Sequence, residues 1–148
     1  GEASSTMAYL KKHGLDCLIP TLKQPLLGIC LGMQLMCSHS AEGDTDCLGI
    51  FPQRIYRFPE GAVKVPHMGW NNLKTKDSPL LQGLPTESYV YFVHSYYAEL
   101  GDNTIAQAEY GLPFSAALHR DNFYATQFHP EKSGSIGAKI LENFLLRC

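Results

Sequence analysis

The sequence predicts an α/β fold, and three observations carry that expectation. The apolar run Pro25-Leu26-Leu27-Gly28-Ile29 has the length and composition of a buried parallel strand. Residues 31 to about 39 follow it at once with a helical pattern. Most of the remaining chain is a succession of β-rich segments separated by Pro and Gly.

Taken in order, Ser4 and Ser5 are candidate caps for a helix reaching about Lys12, with Met7, Tyr9 and Leu10 as apolar positions and Gly14 as its stop. The core strand and its helix come next, then a polar, Gly-containing loop over 40–46. Strands are expected at 54–58, 62–65, 89–97, 104–110, 115–119 and 123–128, the last two joined as a hairpin through Arg120-Asp121-Asn122. A final helix is expected over 137–146, where Ile140, Leu141, Phe144 and Leu145 share one face.

At 148 residues the chain suits one domain, 1–148, with a real core. Hydrophobic residues make up 45% and charged residues 18%, the balance of a globular rather than a disordered chain. A formal charge of −2 gives no reason to expect nucleic acid or an anionic membrane as partner. No apolar run approaches the ~20 residues of a membrane-spanning helix. The opening Gly1-Glu2-Ala3-Ser4-Ser5 lacks the basic and apolar segments of a signal peptide. Five cysteines, an odd number without a C-x-x-C pair, argue against a secreted disulfide framework and a structural zinc site; a reducing cytoplasm is expected.

Chemistry concentrates at Gly28-Ile29-Cys30-Leu31-Gly32. A nucleophile between two glycines, placed between strand and helix, implies a sharp turn that strains the central residue and exposes its side chain. The glycines would remove Cβ atoms that collide with neighbouring backbone. Cys30 would then sit at a helix N-terminus, where the dipole favours thiolate, and the Leu31 N–H could serve an oxyanion. A small buried cysteine in a tight turn is the plain alternative. Cys17, Cys37 and Cys47 lack this setting and read as core or loop residues.

Six histidines compete as its base. His13 and His39 read as helix ends, and His119 lies beside a hairpin turn. His129 follows a strand, precedes Pro130, which fixes the chain direction, and has Glu131 two residues on. Strand ends of open α/β sheets are where active sites collect. Glu131 can hold one imidazole nitrogen and turn the other toward Cys30.

These segments resemble the class I (triad-type) glutamine amidotransferases: Gly28-Ile-Cys30-Leu-Gly32-Met-Gln34 and Phe128-His129-Pro130-Glu131 match that family's two diagnostic blocks. Val65-Pro66-His67-Met68-Gly69-Trp70-Asn71 and Tyr91-Phe92-Val93-His94-Ser95-Tyr96-Tyr97 narrow the resemblance to the glutaminase subunits of imidazole glycerol phosphate synthase. The resemblance implies a flavodoxin-like mixed sheet flanked by helices. It makes Cys30, His129 and Glu131 the triad, and assigns Leu31, Gln34, Glu42, Ser95 and Tyr96 to glutamine binding. Trp70 and Lys132 would face a β/α-barrel cyclase partner; without the resemblance, Trp70 reads as core and Lys132 as a solvated charge. No metal or organic cofactor is implied. Family members begin with a βαβ segment and a strand leading to a Gly-rich oxyanion turn, so the chain is expected to be truncated at its N-terminus. Three other readings stay open: a glutaminase serving another synthase, an inactive binding subunit or fragment, and a cysteine hydrolase on a related fold.

Overall fold

A computed structural model describes residues 2–148; Gly1, part of the opening stretch discussed above, lies outside them. The chain runs through α1 (Ala3–Lys12), α2 (Leu15–Leu18), β1 (Leu26–Ile29), α3 (Leu31–Met36), β2 (His39–Ser40), β3 (Thr45–Asp46) and β4 (Arg54–Arg57). There follow β5 (His67–Asn72), β6 (Lys74–Thr75), β7 (Tyr89–His94), β8 (Tyr96–Ala98), β9 (Thr104–Glu109), β10 (Pro113–Arg120), β11 (Phe123–Thr126) and α4 (Gly134–Arg147).

Nine of these strands form one mixed sheet whose main path is β1-β11-β10-β8-β4-β2-β3, with β9 on β10 and β6 on β9. The pairing that matters for chemistry is β1 with β11, parallel and in register from Leu26 opposite Phe123 to Ile29 opposite Thr126. It brings the ends of both strands together, so that Cys30 and Gln127-Phe128-His129 leave the sheet side by side. All four residues of β11 are buried, because the strand has a neighbour on each edge and packed side chains on each face. The aromatic core (Phe58, Phe92, Phe114 and Phe128) lies on one side of the sheet, and Met33, Met36, Phe51 and Ile55 belong to a second cluster that receives α3.

Strands β5 and β7 form a separate antiparallel ribbon, His67 opposite His94 and Trp70 opposite Tyr91. Its two faces differ sharply. His67, Val90, Phe92 and His94 point into the core, while Met68 and Trp70 stand 63% and 57% exposed on the other face. Among the described residues no helix is long and apolar enough to cross a membrane.

Several expectations are corrected. Glu2, rather than Ser4 or Ser5, caps α1: its carboxylate accepts the N–H groups of both serines, a charge-assisted cap at the positive end of the helix. Helix α3 ends at Met36 rather than near His39, because Cys37 turns extended and Ser38 N–H pairs with Gln53 O instead. His39 is therefore a strand residue, held between Asp44 and Asp46 at 2.9 and 2.8 Å, not a helix end. Residues 62–65 make only an isolated bridge from Glu60 to Val63. Helix α4 starts at Gly134, three residues before the expected start. A Cβ on Gly137 would collide with the Pro130 carbonyl, so this glycine allows α4 to close against the turn after His129.

Candidate active site

The strand-to-helix turn has the strain its sequence implies. Cys30 adopts φ 57° and ψ −107°, a conformation that non-glycine residues rarely hold. Its N–H is fixed by Thr126 O at 2.8 Å. The two flanking glycines are unequal. A Cβ on Gly28 would overlap the Met36 sulfur and lie 2.9 Å from the Gly32 carbonyl carbon, whereas a Cβ on Gly32 would meet nothing within 4 Å. Only the first glycine is required by close approach.

At the sulfur, burial works against the thiolate that the helix N-terminus favours. Burial pushes the Cys30 thiol above its ordinary range; the Leu31 N–H opposes this, Glu131 adds to it and Lys132 opposes it. Desolvation is the larger effect at this sulfur, and the Leu31 N–H offsets only part of it. At rest the Cys30 Sγ–H donates to Val93 O at 3.9 Å.

His129 stands one residue beyond Phe128, held at both backbone groups: its N–H donates to Tyr91 O at 3.0 Å, and its carbonyl accepts from Ser133 Oγ at 2.6 Å. The same Ser133 hydroxyl accepts from Tyr91 N–H at 3.0 Å, which ties the turn to β7. Glu131 Oε2 lies 3.0 Å from His129 Nδ1, as the spacing implied. This leaves Nε2 as the nitrogen free to exchange protons. Among the described residues no hydrogen bond joins Cys30 to His129, so the resting thiol faces β7 rather than the imidazole.

Gln34 is buried, and its Nε2 is already committed to Tyr96 O at 2.9 Å and Gln127 Oε1 at 2.8 Å. Tyr96 thus enters the site through its carbonyl, while Ser95 O accepts the Phe58 N–H at 3.0 Å. Glu42 follows β2, where its carboxylate accepts the Ala3 N–H at 2.8 Å; its hydrogen bond goes to α1 and to none of the other predicted residues. Trp70 is exposed rather than core, and packs edge-on to Tyr91 with centroids 6.0 Å apart. Lys132 lies exposed in the turn after His129, its N–H on the His129 carbonyl.

The residue that sequence reasoning missed is Gln127. Fully buried at the end of β11, it places Nε2 3.8 Å from Cys30 Sγ. A lone Gln after an apolar strand carries no signal of this; only the parallel register of β1 on β11 reveals it.

Residues 8–148 match the family glutamine amidotransferase class-I. The imidazole glycerol phosphate synthase subunit HisH of Bacteroides thetaiotaomicron is 58% identical over 147 residues, covering 98% of this chain and 75% of that protein. The subunit of the same name from Shewanella sediminis is 50% identical over 150 residues, covering 98% of this chain and 69% of that protein. A crystal structure of a glutamine amidotransferase superimposes with a TM-score of 0.70 at 17% identity over 99% of this chain and 76% of that one, a likeness of fold.

Proposed function

We infer, since the chain belongs to the class I glutamine amidotransferase family, that it hydrolyses the side-chain amide of glutamine through Cys30, as the glutaminase subunit of an imidazole glycerol phosphate synthase. The observation that carries this reading is the strained Cys30 beside a His129–Glu131 pair with its Nε2 unengaged.

In the proposed reaction the Cys30 sulfur leaves the Val93 carbonyl and passes its proton to His129 Nε2. The thiolate attacks the glutamine side-chain carbonyl carbon, and the Leu31 N–H supports the oxyanion. His129 returns the proton to the departing nitrogen, releasing ammonia and leaving a thioester on Cys30. A water molecule, deprotonated at the same Nε2, hydrolyses the thioester to glutamate and restores the thiol. Glu131 accepts the Nδ1–H throughout and stabilises the imidazolium. Gln34 Oε1 receives no hydrogen bond among the described residues and is available to the substrate ammonium group.

Ammonia would pass to a cyclase partner, since ammonium free in neutral water is a poor nucleophile. The partner's place is supported by the ribbon. Its exposed face carries Met68, Trp70 and Tyr89, while the backbone of β7 borders the site through Tyr91 O and Val93 O. An apolar patch contiguous with the site suits a docked subunit. We place the enzyme in the cytoplasm, where its five free thiols stay reduced. A glutamine-derived diazoketone tests the chemistry. It should label Cys30 alone among the five cysteines, and glutamine should protect it; equal labelling of the exposed Cys17 would refute a glutamine-specific site.

A further inference from the structure

A buried chain of hydrogen bonds ends on the nucleophile, and its direction is set by one backbone carbonyl. Tyr96 O can only accept, and it accepts from His94 Nδ1 at 2.8 Å and Gln34 Nε2 at 2.9 Å. On one side, His94 Nε2 must then be the bare nitrogen, and it accepts from His67 Nδ1 at 3.0 Å. His67 is clamped between the rings of Phe92 and Tyr110, at 4.8 and 4.1 Å. Burial holds both rings neutral, His67 at about 4 and His94 at about 3, so neither gains the extra proton that would reverse the order.

On the other side, Gln34 presents its amino group to Tyr96 and uses the second N–H on Gln127 Oε1 at 2.8 Å. Gln127 is thereby forced to turn Nε2, its donor end, toward the Cys30 sulfur at 3.8 Å. Flipping either amide would set two donors or two acceptors against each other in a buried place, which is costly.

We propose that Gln127 is a positioning residue for the nucleophile: locked by Gln34, the Tyr96 carbonyl and the His94–His67 pair, its N–H donates to the Cys30 sulfur and stabilises the thiolate as it forms. The reason is chemical. A thiol sulfur is a weak acceptor and a thiolate a strong one, so a fixed donor gains on ionisation. Cys30 is half-buried, which weakens hydration of the sulfur, and Gln127 with the Leu31 N–H replaces part of what water supplies. The proposal rests on Cys30 being the nucleophile, and the diazoketone labelling above scores that reading separately.

The test is the pH dependence of Cys30 alkylation by iodoacetamide, followed peptide by peptide so that other cysteines do not interfere. Gln127→Met keeps the length and removes the donor; Gln127→Glu keeps the shape and puts a carboxylate against the sulfur. Both should raise the pH midpoint of alkylation, Glu more than Met, and slow alkylation at pH 7.5 about tenfold or more. In partner-stimulated glutamate release, kcat should fall with KM little changed. The unaltered chain supplies a readout independent of folding in the variants: the side-chain amide resonances of Gln127 should titrate with the same midpoint as Cys30. An unshifted alkylation midpoint in a folded Gln127→Met chain, or Gln127 resonances indifferent to ionisation of Cys30, overturns the proposal.

Discussion

Replacing Gly28 by alanine isolates the physical demand of the turn. The added Cβ would overlap the Met36 sulfur and stand 2.9 and 3.0 Å from the Gly32 carbonyl carbon and oxygen. The Met36 side chain can move, but the Gly32 backbone belongs to the first turn of α3, directly after Cys30 and Leu31. Overpacking of this kind costs about 1–3 kcal/mol. At about 2 kcal/mol, the melting temperature should drop by roughly 4–8 °C for a chain of this size. Displacing the nucleophile and the Leu31 N–H by even part of an ångström should lower kcat on the order of 10²-fold. Gly32→Ala is the matched control. It meets no atom within 4 Å and sits inside α3, so it should be neutral or stabilising by up to about 1 kcal/mol. Thermal melting and glutamate release, measured on both variants, give the comparison. A Gly28→Ala chain that melts and turns over like the parent, or a Gly32→Ala chain that suffers equally, would refute the reasoning.

Other outcomes follow from the same geometry. The His67–His94 pair makes stability fall in acid. Above pH ~6.5 both states hold neutral rings; below it the unfolded chain binds protons that the folded one refuses until about pH 4 and below, so folding weakens progressively. Denaturation midpoints unchanged between pH 7 and 5 would count against a neutral pair. Glu131→Gln should lower kcat by roughly 10²–10⁴ with little effect on KM, since it removes the charge that supports the imidazolium but touches no substrate. Steady-state kinetics check this, and a variant as fast as the parent would remove Glu131 from the triad. Trp70→Ala should weaken cyclase binding by about 2 kcal/mol or more, roughly 30-fold, while leaving the melting temperature of the isolated chain in place, because the ring is already exposed. Calorimetric titration decides it, and an unchanged affinity would move the docking surface elsewhere.

The parts of this site legible in the sequence are those governed by local rules. Gly28-Ile29-Cys30 reveals its turn because only glycine tolerates the approach of Gly32, and His129-Pro130-Glu131 reveals its pair because two residues of spacing place the carboxylate on the ring. The rest depends on contacts distant in sequence. Helix α3 looked longer because nothing local shows that Ser38 N–H will pair with Gln53 O. Gln127 was invisible because it meets Cys30, 97 residues away, only through the β1–β11 register. The upward push on the Cys30 thiol was not legible because burial is a property of the assembled core, whereas the dipole argument concerns only the helix. Trp70 shows the reverse: by its residue type alone it reads as core, and the register of β5 on β7 puts it outside.

The central claim is that Cys30 and His129 hydrolyse glutamine for a partner. The most direct measurement is glutamate release by this chain, alone and with the cyclase subunit carrying a bound nucleotide analogue, beside Cys30→Ala. The expected result is turnover that the partner stimulates and that Cys30→Ala abolishes. Turnover that persists in Cys30→Ala, or none with the partner present, would contradict it.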